Sequence, residues 1–92
     1  KQEQNDPYII DSIAWAYYLI NDFLKAEKFM RRAVELMPND PIVNDHYGDI
    51  LWMLDRKIQA KYYWKSVLSL KEVQENMKKD INIKLLKGLN NI

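Results

Sequence analysis

Asn5-Asp6-Pro7 and Asn39-Asp40-Pro41 are the same three residues, 34 positions apart. The shift extends well beyond them. At 34 residues Ala14 aligns with Gly48, Ala26 with Ala60, Ala33 with Val67 and Ile13 with Tyr47. Asn21-Asp22-Phe23 aligns with Asp55-Arg56-Lys57. One shift accounts for every pair, so the chain reads as a tandem repeat. A period of 20–50 residues marks an array of stacked supersecondary units.

Each unit reads as two helices. Asp6 is a natural N-cap, and Pro7 follows at the first helical position, where its missing N–H costs nothing. The first helix is expected over about Pro7 to Ile20, with Ile10, Ile13, Ala14 and Tyr17 on one stripe. Asn21-Asp22 breaks it. The second runs from about Phe23 to Met37, with Ala26, Phe29, Met30, Ala33, Val34 and Met37 as its stripe, and Pro38 stops it. In the second unit Asp40 caps, Pro41 opens, and the third helix reaches about Leu54. Asp55-Arg56-Lys57 turns the chain, and a fourth helix covers about Ile58 to Leu70. Ala14 and Gly48 fall mid-helix, where Gly costs about 1 kcal/mol relative to Ala. Ala26 and Ala60 would face them, so paired helices meet closely through small residues. From about Val73 to Lys87, Val73, Met77, Ile81, Leu85 and Leu86 form one more amphipathic stripe, with Glu72, Glu75, Lys78, Lys79, Asp80 and Lys84 on its other face and Gly88 as a stop.

The composition agrees and excludes other classes. The 92 residues carry 14 Lys and Arg against 13 Asp and Glu, a net charge of +1. That balance gives no field to draw nucleic acid. There is no Cys, so neither a disulfide scaffold nor a thiolate metal site can form. Two Gly are too few for a Gly-rich phosphate loop or a fold of tight-turned strands. The longest apolar run, Ile13 to Ile20, is far too short to span a bilayer. No cofactor is expected. The absence of Cys fits an oxidising and a reducing compartment alike.

The pattern resembles the tetratricopeptide repeat (TPR), a helix with W-x2-L-G-x2-Y, then a helix with A-x3-F, then P. The first unit has Ile10-x2-Ile13-Ala14-x2-Tyr17, Ala26-x3-Met30, Ala33 and Pro38. The second has Asn44-x2-Tyr47-Gly48-x2-Leu51, Ala60-x3-Trp64 and Val67. It departs from the pattern at Ile10 and Asn44, where an aromatic is common, and at Glu72, where the closing Pro would fall. The stretches from Ile42 to Trp52 and from Ala60 to Leu70 are also similar to the last repeat of a group of larger bacterial TPR proteins. The resemblance implies an all-α solenoid with a right-handed superhelix. Two repeats occupy residues 7–40 and 41–72, with a capping helix and tail over 73–92. Residues 1–6 match the end of a unit and read as the remnant of an upstream repeat. A basic membrane- or nucleic-acid-docking helix is the competing reading of 73–87, but its acids are interspersed and it has no aromatic anchor.

In a TPR array the first helix of each pair lines the concave groove. Off the core stripes of those helices lie Tyr8, Asp11, Trp15, Tyr18 and Leu19, then Ile42, Asp45, Asp49, Trp52 and Met53. Exposed aromatics are enriched at binding hot spots. With Asp11, Asp45 and Asp49 the groove is expected to be aromatic and acidic, suited to a protein or peptide with apolar and basic side chains. The partner-binding residues are therefore expected to be Tyr8, Asp11, Trp15, Tyr18, Asp45, Asp49, Trp52 and Met53. Trp15 and Trp52 equally allow a packing role, Trp15 against an upstream repeat and Trp52 beneath the capping helix. Trp64 reads as core. The acids argue against a groove that clamps carboxylates and against an RNA-binding one.

Chemistry has few candidates. His46, the only His, lies within one helical turn of Asp49, but a third metal ligand is missing. Asp45 and Asp49 repel mildly at i,i+4, which fits a cationic ligand or a solvated face. Ser12, Ser66 and Ser69 have no base nearby. The sequence reads as a non-enzymatic protein-interaction scaffold. The alternative is a purely structural end of a longer array, or a module that pairs with itself. The acidic-groove reading predicts that Asp45→Lys with Asp49→Lys weakens partner binding and leaves the melting temperature nearly unchanged.

Overall fold

A computed structural model describes residues 6–89. The expected remnant at 1–6, apart from Asp6, and the end of the tail lie outside the described residues. The protein is all-α. Five helices follow in order: α1 (Pro7–Leu19), α2 (Phe23–Leu36), α3 (Pro41–Met53), α4 (Lys57–Leu68) and α5 (Glu75–Lys87). The first helix of each pair begins and ends 34 residues from its counterpart, and the second helices start at the same interval.

Local chemistry sets these boundaries. The Asp6 carboxylate accepts the Tyr8 N–H at 2.9 Å, and that of Asp40 accepts the Val43 N–H at 2.9 Å, each just before a Pro at the helix start. Asp22 caps α2 through the Lys25 N–H at 3.3 Å. Its counterpart Arg56 has no acceptor, and α4 lacks a side-chain cap. Both hairpin turns are Schellman motifs. The Asp22 N–H reaches back to the Tyr17 carbonyl, and the Arg56 N–H to that of Leu51. Such a turn needs one left-handed residue, and Asn21 (φ 66°) and Asp55 (φ 62°) supply it. Asn and Asp tolerate that conformation better than other non-Gly residues.

Each hairpin buries the same column of positions. Ala14, Ala26, Met30 and Ala33 are fully buried in the first, and Ala60, Trp64 and Val67 in the second. Gly48 takes the place of Ala14 because of Trp64. A methyl on Gly48 would lie 2.5 Å from Trp64 Cδ1 and 3.1 Å from the Ala60 carbonyl oxygen. The first hairpin holds Ala14 and Met30 at those positions, a methyl more and an indole less. Complete burial of a side chain such as Met30 is worth about 1.5–3 kcal/mol.

α2 packs on α3, joining the hairpins, and α5 packs on α4. Ile81 anchors α5 and is fully buried. Leu86, expected on the α5 stripe, is 84% exposed. Ile13, expected on the α1 stripe, is 39% exposed, whereas Tyr47 at the matching position of α3 is buried. α3 is sandwiched between α2 and α4, and among the described residues no helix covers the matching face of α1.

Asn44, a departure from the aromatic expected there, has a structural role. Its amide donates to the carbonyls of Pro38 at 3.0 Å and Asp40 at 2.8 Å. A buried amide that ties the inter-hairpin loop to α3 does what a ring at that position could not.

Candidate functional site

The side chains expected to line a groove come from α1 and α3, and the structure divides them into three groups.

Tyr8, Trp15 and Tyr18 form the aromatic part. Tyr8 is 61% exposed. The Trp15 ring stacks on Tyr18 at 4.3 Å and on His46 of α3 at 3.9 Å, with interplanar angles of 15° and 18°. Tyr18 also meets the Phe23 ring edge-on at 5.5 Å. Trp15 thus joins α1 to α3 while remaining part-exposed, and the packing it makes is with α3 rather than the packing against an upstream repeat that was expected. Ile42, on the first turn of α3, is 52% exposed. Burial pushes the Tyr18 hydroxyl above its usual pKa, and the nearby Asp49 carboxylate adds to the shift.

Asp11 belongs to the second group. Its carboxylate lies 2.9 Å from His46 Nδ1, and both side chains are largely covered. The sequence spacing placed His46 beside Asp49 on α3. The helix packing instead gives it Asp11 across the hairpin junction and leaves Asp49 pointing elsewhere.

The third group is built around a residue that the groove reading omitted. Lys84 of α5 places its Nζ 2.8 Å from Asp45 Oδ1, and 3.0 and 3.2 Å from the two oxygens of Asp49. Asp49 also accepts the Trp64 Nε1–H at 3.1 Å. Asp49 is 7% exposed and so belongs to the interior. Burial raises its pKa to about 6, helped by Asp45, with Lys84 and the indole N–H opposing. Burial pulls the Lys84 ammonium down, but two adjacent carboxylates more than offset this, and its pKa is raised. An ammonium shared by two carboxylates keeps one proton equivalent within reach of the set.

Trp52 packs against Trp64 at 5.5 Å, with the Lys57 ammonium 4.8 Å from its ring centroid. Gly88 closes on it from α5. A Cβ there would come within 2.8 Å of Trp52 Cε2 and closer still to its neighbours. Trp52 is therefore a packing residue beneath the end of α5, one of the two roles its sequence allowed. Met53 is part-exposed beside it.

The expected acidic groove is corrected in one respect. Asp11, Asp45 and Asp49 lie on α1 and α3 as expected, but each carboxylate is engaged within the chain, by His46 or by Lys84. The paired substitution Asp45→Lys and Asp49→Lys would set three ammonium groups together and could not leave the melting temperature unchanged. The signal for Lys84 was faint. It falls on the polar face of a helix, and only packing aims it inward.

Among the described residues no serine hydroxyl bonds to the His46–Asp11 pair. Ser12 donates instead to the Tyr8 carbonyl at 3.0 Å. Among the described residues no three of His, Asp and Glu converge as a metal would require. Among them, too, no helix is long and apolar enough to cross a membrane. Comparison with family models, with curated proteins and with solved structures found no match to this chain.

Proposed function

We propose that the chain is a two-repeat TPR module with a capping helix, part of a right-handed α-solenoid. It holds a protein or peptide partner along α1 and α3 and performs no chemistry of its own. The observation that carries this reading is the aromatic surface of Tyr8, Trp15 and Tyr18, continued by Ile42. Tyr8 and Ile42 stay open although each could have been polar at no cost to the core. Because the three carboxylates are satisfied within the chain, recognition rests on aromatic and apolar contacts. A partner's Lys or Arg would have to compete with Lys84 for Asp45.

A photo-crosslinking residue at Tyr8 tests this. It should capture a discrete partner from a lysate, and capture should fall when Ile42→Ser is added. The same residue at Tyr62, which is 65% exposed on α4, should capture little. Equal capture from both positions would sink the proposal.

A second reading has its own support. α5 covers α4 through the buried Ile81 and ties down α3 through Lys84, as the closing element of an array would. In that reading the segment is a structural end, and the Tyr8 crosslinker captures nothing.

A further inference from the structure

An open cleft of about 330 Å³ lies between α2 and α4, with Tyr47 and Leu51 of α3 in its lining. It shares no residue with the aromatic surface of α1 and α3. Its volume is near the lower end of the range for small-ligand sites, about 300–1,000 Å³. α2 contributes Glu27 and Arg31. The other wall is Arg56, just before α4, with Gln59 and Tyr63 of that helix. Glu27 is fully engaged. Arg31 Nε lies 3.1 Å from its carboxylate, the Tyr47 O–H donates to it at 2.8 Å, and only 12% of its side-chain surface is left open. The donors across the cleft are not engaged. Among the described residues the Arg56 and Gln59 side chains and the Tyr63 hydroxyl have no hydrogen-bond or ion-pair partner.

The first hairpin shows that neither capping nor packing calls for these donors. Arg56 stands where Asp22 caps α2, and it leaves α4 without a side-chain cap. Tyr63 stands where Phe29 does. Phe29 packs on Tyr17 at 5.7 Å through its ring alone, and the Tyr63 ring meets Tyr47 edge-on at 4.7 Å. Residues that set a local preference aside with no gain to the fold are where function is to be sought. Burial holds the Tyr63 pKa above its usual value, and the neighbouring Tyr62 and Glu27 add to the shift. The hydroxyl therefore keeps its proton and serves as a donor. Arg56 stays charged and can only donate.

We propose that the cleft between α2 and α4 binds a phosphoryl group, held by the Arg56 guanidinium, the Gln59 amide and the Tyr63 hydroxyl. These three follow at 3- and 4-residue steps, so they share a face. Arg31 cancels Glu27, and Arg56 leaves the cleft with a net positive charge, so the ligand is an anion. The number of donor groups selects its geometry. A carboxylate has two oxygens, and one guanidinium fork satisfies both. A tetrahedral oxoanion brings at least three, one for each donor group. Free phosphate and a phosphomonoester share this chemistry.

The test titrates the full chain at pH 7 and constant ionic strength with inorganic phosphate and, separately, with glycerol 2-phosphate. NMR follows the Arg56 Nε–H and the Gln59 side-chain amide. Saturable shifts of both signals are expected with each probe, and the tighter probe shows whether the group is taken free or on a carrier. Read at Gln59, Arg56→Gln should raise the half-saturating concentration about tenfold or more, the worth of a charged hydrogen bond. Tyr63→Phe installs the ring that the first hairpin carries at the same place. It should raise that concentration about fivefold while the urea midpoint stays nearly unchanged, so the weaker binding does not come from a loss of fold. Acetate should give no saturable shift. Shifts that rise without saturating overturn the proposal, as does either variant binding like the wild type, or acetate saturating the signals as tightly as phosphate.

Discussion

Replacing Lys84 by Met removes the ammonium and keeps the length of the side chain. Asp45 and Asp49 are then left four residues apart on α3 with no counter-charge, and Asp49 is 7% exposed. At the observed 3.0 Å, an ammonium and a carboxylate attract by about 5 kcal/mol at an effective dielectric of 20. Desolvation cancels much of this, but removing one partner leaves the other buried and uncompensated, at a cost of about 3–5 kcal/mol. Lys84 and Asp45 keep 19% and 18% of their side-chain surface, so the lower end applies and a loss of about 3 kcal/mol is expected at pH 7. The loss should shrink toward pH 5, because the stranded Asp49 carboxylate can take up a proton. In an Asp49→Asn background, Lys84→Met should cost about 1 kcal/mol, since Asn leaves no buried charge to strand. Urea unfolding followed by tryptophan fluorescence at pH 7 and pH 5, in a double-mutant cycle, measures all of these. If Lys84→Met unfolds at the wild-type midpoint, or loses the same amount at both pH values, the ammonium does not hold the two carboxylates.

Asp49 makes its own pH signature. Its folded pKa of about 6 stands above its ordinary 3.8, so the folded state binds the proton more tightly. The contribution is present below pH 4 and is lost as pH rises through 6, by at most about 3 kcal/mol. Asp49→Asn should remove that descending segment from a plot of unfolding free energy against pH. Gly48→Ala should destabilise by about 2–3 kcal/mol, since the methyl drives into Trp64, and should shift tryptophan emission. Asp55→Gly should stabilise by about 1 kcal/mol by relieving the left-handed residue, seen as a higher urea midpoint. Tyr47→Phe strips the O–H that Glu27 accepts. It should cost about 1 kcal/mol and leave Arg31 as the remaining partner of Glu27.

The helices themselves were legible because their ends are set by neighbours in the chain. A cap spans two or three residues, as Asp6 to Tyr8 and Asp40 to Val43 show, and a Schellman turn closes within six. The 34-residue shift also paired Ala26 with Ala60 and Ala33 with Val67, all of them buried in the structure. Boundaries expected one or two residues long, at Ile20, Leu54 and Leu70, ended earlier because the last turns are already part of the cap.

The site was legible only in its membership of α1 and α3. Periodicity says which residues share a face, but not what the face meets. Asp11 finds His46 across 35 residues, and Asp45 finds Lys84 across 39. Those pairings depend on how α1, α3 and α5 settle against one another, and no local pattern encodes that. The same limit explains Ile13 and Tyr47. Their positions are equivalent along the helix, and one is open and the other buried because α2 covers that face of α3, while among the described residues no helix covers the matching face of α1. The sequence by itself determined the helices, their caps and their 34-residue recurrence, through contacts within a turn or two of chain. Only the tertiary structure decided that the acids of the first helices would be neutralised from within. Charge pairing and burial are properties of packed neighbours distant in sequence.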